Sequence, residues 1–395
     1  MVVVCYSSPG FNRQSFRAVI MPAKELNKSC MECKDAEFEL TVRKRQLCMY
    51  ATSRQSTTPP AHTHKVHSRL SVYRAFGLDG PKTQLLLPVS FGVSSSVLLH
   101  ILNADRQHRL GNGRPLGYDF KILVIEPSTV AATGIPFDQN YEALEKNFPM
   151  HTISRIPFHS IFDHVPEMEE IMQEYAGSIF IDDSTRSNEE RLAAFRASIS
   201  TPTSRTDVDT VLLTRLIVEF AKKSGCESVI WGDSDSRLAA KALAGVAKGR
   251  GASLTWQVSD GMSPWGVRFE YPLRDLYKAE LLQYESVCAE LSDIVIHDQP
   301  PSDNVLTKNL SIDELMLRYV QNQGAKYPGV MANVARTANK LNPSTSDNAP
   351  TCVLCAGLVG NVKGNSGVTV ANQAEDNHSS QFCYGCMRSR PEELC

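Results

Sequence analysis

Four cysteines near the carboxyl end of the chain fall into two closely spaced pairs. Two residues separate Cys352 from Cys355, and two residues separate Cys383 from Cys386. Such pairs supply four thiolates at a spacing that suits tetrahedral zinc, and a closed four-sulfur shell leaves no position open for chemistry on a substrate. The pattern therefore predicts a structural zinc site. Because the intervening residues 356–382 form a longer loop than compact zinc ribbons have, a disordered tail with reduced thiols is the alternative.

An incomplete cysteine group lies near the amino end. Cys30, Cys33 and Cys48 would supply three metal ligands, but Ala51 stands where the fourth cysteine of a matching pair is expected. A nearby histidine could complete the shell. The interpretation that we favour is that residues 49–62 are an irregular insertion, or a gene-model error, that displaced the missing cysteine.

Basic residues without acidic neighbours crowd the segment around Cys48. Between Thr41 and Arg74 there is no aspartate or glutamate. Clustered positive charge can hold RNA phosphates through counterion release, although the formal net charge of −2 excludes a uniformly basic nucleic-acid binder. A solvated helix face with a flexible loop would explain the same residues. The candidate RNA-binding residues are Arg43, Lys44, Arg45, Lys65 and Arg69.

A Ser/Gly-rich loop at residues 90–96 separates an apolar run at 85–89 from a helical pattern at 97–102. A strand, a Ser/Gly turn and a helix bring several backbone N–H groups and the positive end of the helix to one point, which suits a bound phosphate. The order of elements therefore predicts an anion site. A serine-rich helix cap within an ordinary α/β core remains the alternative.

Predicted strands and helices, which must position these residues, alternate along the chain. This alternation predicts a parallel sheet covered by helices on both faces. Gly225 should end one of the helices. The composition after residue 341 is rich in Ser, Asn, Gly and Cys, so order there would need a bound metal. Strands are predicted at 85–89, 120–125 and 228–231, and helices at 97–102, 141–148, 208–223, 237–247, from 276 onward and, as the last long helix, at 312–323.

The bulk composition describes a globular protein. The chain has 395 residues, of which 42% are hydrophobic and 21% charged, so it can bury a core of ordinary size. No apolar run approaches the roughly 20 residues of a membrane-spanning helix, and the apolar run at residues 2–6 is too short for a secretory signal. We therefore expect no membrane association.

Two motifs resemble those of a nucleotide-binding family. The loop resembles the PP-loop ATPase signature Ser-Gly-Gly-any-Asp-Ser if Ser90, Gly92 and Ser95 hold its first, third and last positions, with Phe91 replacing glycine and Ser94 replacing aspartate. A bulky aromatic side chain opposes the backbone freedom that glycine allows, and the missing acid would normally help to bind Mg²⁺. The stretch Gly-Asp-Ser-Asp-Ser-Arg-Leu-Ala at 232–239 stands where related enzymes have Gly-His-Asn-any-Asp-Asp.

Three further motifs indicate which family of this fold the chain resembles. They are Gly-Arg-Gly-Ala at 249–252, Pro-Leu-Arg-Asp at 272–275 and Phe-Cys-Tyr-Gly-Cys at 382–386. Together with the two loops, they make the chain similar to the cytoplasmic tRNA 2-thiolation protein 2 family over about residues 30–390. The fold that this implies is a parallel-sheet PP-loop domain, of the adenine nucleotide alpha hydrolase type, with Cys-rich, zinc-binding terminal segments.

The resemblance also implies a function. It implies a cytoplasmic heterodimer with a catalytic PP-loop thiolase subunit, which adenylates wobble uridine-34 in tRNAs for Lys, Glu and Gln. Sulfur would come from a thiocarboxylated ubiquitin-related modifier, and ATP and Mg²⁺ would act only through the catalytic partner. In this chain the nucleotide site would be degenerate, formed by Ser90, Gly92, Ser94, Ser95, Gly232 and Asp233.

We expect no catalytic residue in the chain. Catalytic relatives carry a Cys-any-any-Cys pair before the Gly-His-Asn motif, whereas residues 204–225 contain no cysteine and Cys226 reads as a small core residue. The alternatives are a thiolase that is competent by itself and a metal-stabilised adaptor that never contacts RNA. The expected organisation is a disordered leader (1–29), a Cys-containing basic segment (30–75), the degenerate PP-loop domain (76–341) and a zinc-binding tail (342–395).

Overall fold

The computed structural model describes residues 40–42, 45–47, 82–113, 117–127, 137–297, 310–341, 350–359 and 381–391. The strands are β1 (Leu40–Val42), β2 (Arg45–Leu47), β3 (Thr83–Pro88), β4 (Tyr118–Glu126), β5 (Ile153–Pro157), β6 (Ser228–Ile230), β7 (Gly261–Met262) and β8 (Arg268–Glu270). The helices are α1 (Val93–Gly111), α2 (Phe137–Asn147), α3 (Ile161–His164), α4 (Met168–Ala176), α5 (Asn188–Ser198), α6 (Pro202–Lys223), α7 (Asp235–Ala247), α8 (Leu254–Gln257), α9 (Lys278–Ser286), α10 (Ile312–Lys326), α11 (Pro328–Ala338) and α12 (Tyr384–Ser389).

Six of these strands form one sheet in the order β5-β4-β3-β6-β8-β7. All neighbouring pairs are parallel except β7 and β8. The chain winds outward from β3 to β4 and β5, and later crosses to the other side of β3 to form β6. In open α/β sheets such a change of direction leaves a crevice at the carboxyl ends of the two central strands. The crevice here lies between the loops that follow β3 and β6.

Side chains of β3 alternate between two cores. Leu85 and Leu87 pack on one side of the sheet with α1, whereas Leu86 packs on the other side with Val229 and α6. All three leucines are fully buried, which explains why the strand reads as a continuous apolar run. The predicted sheet with helices on both faces is confirmed.

Helix ends follow local signals in the sequence. Gly225 adopts φ +68° directly after Ser224, the C-cap of α6, as expected for a glycine that ends a helix. Ser311 caps α10 by accepting a hydrogen bond from the backbone N–H of Glu314. The prediction of 312–323 as the last long helix was wrong, because Pro328 occupies the first turn of a further helix, α11, where it needs no hydrogen-bond donor.

Several predicted residues lie outside the described part of the chain. These are Cys30, Cys33, Cys48, Arg43, Lys44, Lys65 and Arg69. Arg45 pairs through its backbone with Val42 in the antiparallel β1–β2 pair. No helix among the described residues is long and apolar enough to span a membrane.

Candidate functional site

Two loops meet at the crevice of the sheet. The first joins β3 to α1, and the second joins β6 to α7. A Cβ atom added to Gly232 in the second loop would lie 2.6 Å from the Cα of Ser95 in α1, closer than real Cβ contacts come. Glycine is therefore required at position 232 for the two loops to touch.

The serines after β3 occupy the first turn of a helix. The sequence pattern places the start of the helix at 97, but α1 begins at Val93, directly after Gly92, so Ser94 and Ser95 are helical. The Ser95 hydroxyl accepts a hydrogen bond from the Ser90 backbone N–H at 3.3 Å and donates one to the Gly92 carbonyl at 3.1 Å. It thus holds the loop closed, while the N–H groups of the first helical turn have no acceptor within the helix.

Phe91 points away from this loop. Its φ of +58° is a left-handed value that glycine adopts freely, and its ring is 1% exposed, packing edge-on against Phe137 at 5.3 Å between centroids. The Ile296 backbone N–H donates to the Phe91 carbonyl at 2.7 Å. The expectation that this aromatic opposes the backbone freedom of glycine is therefore corrected: the backbone takes the glycine-like conformation, and burial of the ring offsets its cost.

The two loops line a cleft of about 880 Å³. Its facing wall comes from α9, α10 and α11 and includes Leu282, Leu317, Val320 and Met331. One side therefore offers two helix amino termini, and the other offers these apolar side chains among polar ones such as Lys278 and Gln321. The arrangement suits a ligand with an anionic end and a partly apolar body. The structure brings to this cleft all six residues predicted for the nucleotide site: Ser90, Gly92, Ser94, Ser95, Gly232 and Asp233.

The acidic side chains of the second loop are engaged within the protein. Asp233 forms an ion pair with Lys241 at 2.5 Å between Oδ2 and Nζ, and Lys241 also lies 5.7 Å from the centre of the Trp231 ring. Asp235 accepts hydrogen bonds from the backbone N–H and the hydroxyl of Ser236, at 2.5 and 2.8 Å. These contacts shape the start of α7.

No cysteine or histidine is among the described residues that line the cleft. Cys226 is 5% exposed and packs in the core, and burial raises the pKa of its thiol. Burial, followed by the nearby Glu290, raises the pKa of Cys288 to about 11. A raised pKa keeps each thiol protonated near neutral pH. Because the thiolate is the reactive form, neither cysteine is suited to act as a nucleophile.

The two carboxyl-terminal cysteine pairs meet in one buried cluster. The Sγ atoms of Cys352, Cys355, Cys383 and Cys386 all lie within 4.8 Å of one another. The Sγ atoms of Cys355 and Cys383 are 3.4 Å apart, close to the roughly 3.8 Å edge of a tetrahedron with zinc–sulfur bonds of about 2.3 Å. The donor set therefore fits a single tetrahedral metal ion.

A tight turn presents the first pair. The Cys352 backbone N–H donates to the Gly357 carbonyl at 2.7 Å, and the Ala356 N–H donates to the Cys352 carbonyl at 2.8 Å. The Gly357 N–H points at the Cys355 sulfur, 3.4 Å away. Backbone donors directed at sulfur stabilise a thiolate, as a metal ligand requires.

Comparison with known proteins decides the family. The family model described as cytoplasmic tRNA 2-thiolation protein 2 matches residues 311–388. A relative of that name from Neosartorya fischeri is 53% identical over 382 residues, covering 95% of this chain and 100% of the relative. Another from Aspergillus clavatus is 51% identical over 378 residues, covering 94% and 99%. The chain belongs to the cytoplasmic tRNA 2-thiolation protein 2 family.

This family member also shares its fold with a solved structure. The U34-tRNA thiolase NcsA from Methanococcus maripaludis, solved with its [4Fe-4S] cluster, aligns with a TM-score of 0.52 at 14% identity. The alignment covers 86% of this chain and 94% of that one. The likeness confirms the predicted fold class, a PP-loop α/β domain.

Sequence patterns did not reveal every residue that matters in this family member. The facing wall of the cleft was missed, because residues from three helices that are distant in sequence form it. Arg250 was noted only as part of a motif, yet its guanidinium lies 3.4 Å from the Cys386 sulfur. A single arginine between Gly249 and Gly251 was the available signal.

Proposed function

We propose that the chain is the non-catalytic subunit of a cytoplasmic, heterodimeric tRNA sulfurtransferase. The complex would introduce the 2-thio group of 5-methoxycarbonylmethyl-2-thiouridine at wobble uridine-34 in tRNAs for Lys, Glu and Gln. One observation carries the proposal: the cleft keeps two contacting loops at the centre of a PP-loop sheet, but Ser94 replaces the loop acid and none of its described lining residues is a cysteine.

Sulfur transfer divides between the two subunits in this proposal. The catalytic PP-loop partner binds ATP and Mg²⁺ and adenylates the C2 oxygen of the uridine, with release of pyrophosphate. Sulfur from a thiocarboxylated ubiquitin-related modifier then replaces that oxygen, which leaves with AMP. Since burial raises the pKa of both Cys226 and Cys288, the described part of this chain offers neither as the attacking thiolate. The chain contributes shape and binding surface to a shared site.

Contact with tRNA is proposed for the basic amino-terminal segment. Residues Arg43, Lys44, Arg45, Lys65 and Arg69 would hold backbone phosphates. The position of β1 supports this, because β1 lies alongside α9, the helix that forms part of the cleft wall. The basic segment therefore begins close to the cleft.

Zinc is the proposed metal of the carboxyl-terminal cysteine cluster. Four thiolates around one ion explain Sγ atoms that all lie within 4.8 Å, whereas a four-iron cluster between them would hold the sulfurs farther apart. When bound, the zinc would join the segments at 350–359 and 381–391 and perform no chemistry on substrate. A second metal group at Cys30, Cys33 and Cys48 stays a prediction, as does the division into four regions.

Reconstitution with the catalytic subunit tests the proposed role. The purified chain, incubated with ATP, the thiocarboxylated modifier and tRNA for Lys, is expected to release no tRNA-dependent AMP and to form no 2-thiouridine. Adding it to the catalytic subunit is expected to raise 2-thiouridine by at least about tenfold over that subunit alone. Mass spectrometry of digested tRNA measures the product. AMP release by the isolated chain that depends on tRNA would instead favour the competent thiolase.

The adaptor alternative needs a separate measurement. If the chain binds only proteins, neutralising Arg43, Lys44 and Arg45 together should leave the tRNA affinity of the reconstituted complex unchanged. Our proposal instead expects weaker binding and a shallower dependence of affinity on salt, since three phosphate contacts are lost. Filter binding at several salt concentrations distinguishes the two.

A further inference from the structure

The motif Gly-Arg-Gly-Ala at 249–252 has a role in the structure that the proposed function does not use. The Arg250 side chain is 2% exposed and lies between an acid and the cysteine cluster. Its Nη1 and Nη2 atoms lie 3.4 and 3.5 Å from the Cys386 sulfur, and its Nε lies 2.8 Å from both carboxylate oxygens of Asp207. The forked geometry of guanidinium serves both partners at once.

Two glycines allow this close approach. A Cβ atom on Gly385, inside the second cysteine pair, would lie 2.6 Å from the Cγ of Arg250. A Cβ atom on Gly249, whose φ is +74°, would lie 2.6 Å from the Tyr384 ring. Each glycine thus belongs to one of the two packed segments, and each makes room for a side chain of the other.

The charge of a metal-bound cysteine cluster accounts for an arginine beside it. Four thiolates around a divalent cation carry a net charge of −2, and a buried net charge is costly unless neighbouring groups balance it. Arg250 brings two N–H donors and the positive end of its ion pair with Asp207 to one of the sulfurs. Hydrogen bonds from such neighbours to metal-bound ligands stabilise the bound metal.

The contacts continue from Arg250 to the cleft. Asp207, which Arg250 binds, also pairs with Lys248 at 2.9 Å, and Lys248 pairs with Asp313 at 2.8 Å. Asp313 is the second residue of α10. Leu317 and Val320, farther along the same helix, line the cleft. A line of charged side chains therefore joins the cysteine cluster to the start of α10, the helix that contributes to one wall of the cleft.

We propose that Arg250 stabilises the metal-bound Cys386 thiolate through its N–H groups and that Asp207, Lys248 and Asp313 extend this link, so that metal binding positions helix α10 at the cleft. The inference rests on the proposed metal site. These four residues are then positioning residues, and Arg250 is the residue of the Gly-Arg-Gly motif that contacts the cysteine cluster. Metal loss would then alter the cleft without any direct contact between the two sites.

Metal release tests the first half of the inference. In full-length protein, Arg250→Gln removes the positive charge while Asp207 keeps Lys248 and Ser389 as partners. We expect zinc transfer to a chromogenic chelator to become roughly 10- to 100-fold faster. Arg250→Lys, which keeps the charge but loses the fork, should give an intermediate rate. Circular dichroism confirms that each variant is folded.

The matched control is Arg196→Gln. Arg196 forms a pair with Asp209, at 2.8 Å between Nε and Oδ1, and so supplies an arginine–aspartate pair at another place in the fold. Its zinc release should equal that of the wild type. Equal rates for folded Arg250 and Arg196 variants would overturn the role of Arg250 in stabilising the bound thiolate. A chain that neither contains zinc nor takes it up would overturn the inference and the zinc site together.

Hydrogen exchange tests the second half. Chelation of zinc should increase amide exchange in α10 as well as in the cysteine segments, whereas α2, on the other side of the sheet, should not change. In Lys248→Gln, which breaks the link, chelation should no longer affect α10. Unchanged exchange in α10 of the wild type after zinc loss would refute the coupling. Neither measurement uses tRNA, so failure here is distinguishable from failure of the proposed thiolation role.

Discussion

Phe91 shows how an aromatic residue can occupy a backbone conformation that glycine adopts freely. At φ +58° a non-glycine residue is strained by an amount on the order of 1–2 kcal/mol. Full burial of a phenylalanine ring contributes a similar or larger stabilisation. The ring packs against Phe137 in the main core, so its burial offsets the strain of the backbone.

Gly232 permits no such replacement. In Gly232→Ala the added methyl group would meet the backbone of Ser95 at 2.6 Å, so the two loops must separate. We expect a loss of about 1–3 kcal/mol in the free energy of unfolding, measured by urea denaturation. The control is Gly92→Ala, whose Cβ would lie 3.6 Å from the Ser90 hydroxyl at a φ of −72°, open to any residue. Equal stability of the two variants would contradict the contact between the loops.

His151 predicts a dependence of stability on acid. Its ring stacks on Phe120 at 4.2 Å between centroids, and its Nε2 lies 3.0 Å from the Asn103 amide oxygen. Burial, and then the nearby charge of Arg106, lowers the pKa of His151 to about 4. Below about pH 6.5, His151 is therefore protonated in the unfolded chain but still neutral in the folded chain. The free energy of unfolding falls as the pH drops from about 6.5 to 4.

The variant that isolates this effect is His151→Gln, which keeps a side-chain hydrogen bond but cannot titrate. It should lose about 1–2 kcal/mol less than the wild type between pH 6.5 and 4, with no difference in slope above pH 7. Urea denaturation at each pH provides the free energies. His108→Gln, which removes an exposed histidine of α1, serves as the control. Parallel curves for the wild type and His151→Gln would contradict the assignment.

At the scale of elements, α6 connects the two regions of interest. Its Val208 and Leu212 pack in the core that contains all four clustered cysteines, and its Val218 and Ala221 pack under the central sheet. Arg215, from the same helix, donates to the carbonyls of Val353 and Leu354 in the first cysteine turn, at 2.6 and 3.1 Å. Helix α6 thus helps to hold the short segments of the cysteine cluster in place.

Loss of metal ligands should affect these short segments first. We expect Cys383→Ser combined with Cys386→Ser to lower the zinc content by one equivalent per chain, measured by inductively coupled plasma mass spectrometry. Cys288→Ser, which removes a thiol outside the cluster, should keep the wild-type content. If the double variant retains the same zinc as the wild type, the cluster is not the metal site.

At the scale of the molecule, the order of strands creates the cleft. Because β3 lies between β4 and β6, the loops that follow β3 and β6 leave the sheet side by side although about 140 residues separate them. The helices α10 and α11 then close the facing side. The crevice thus follows from strand order and not from the particular residues in the loops, which is the basis of the proposed role as a partner subunit.

The sequence by itself determined much of this arrangement. The apolar run of β3 and the serines after it indicated a strand, a turn and a helix, and the two Cys-any-any-Cys pairs indicated one metal group. These signals are local: they depend on periodicity, on glycine and on the spacing of ligands. The resemblance of the two loop motifs added the family.

Only the tertiary structure decided what the distant residues do. That Phe91 turns into the core, that Gly232 touches Ser95 and that Arg250 reaches Cys386 depend on contacts between segments far apart in the chain. A sequence pattern records which side chains are present at what spacing along one element. Packing between elements sets which of them meet, because the shape and charge of both partners enter the free energy together.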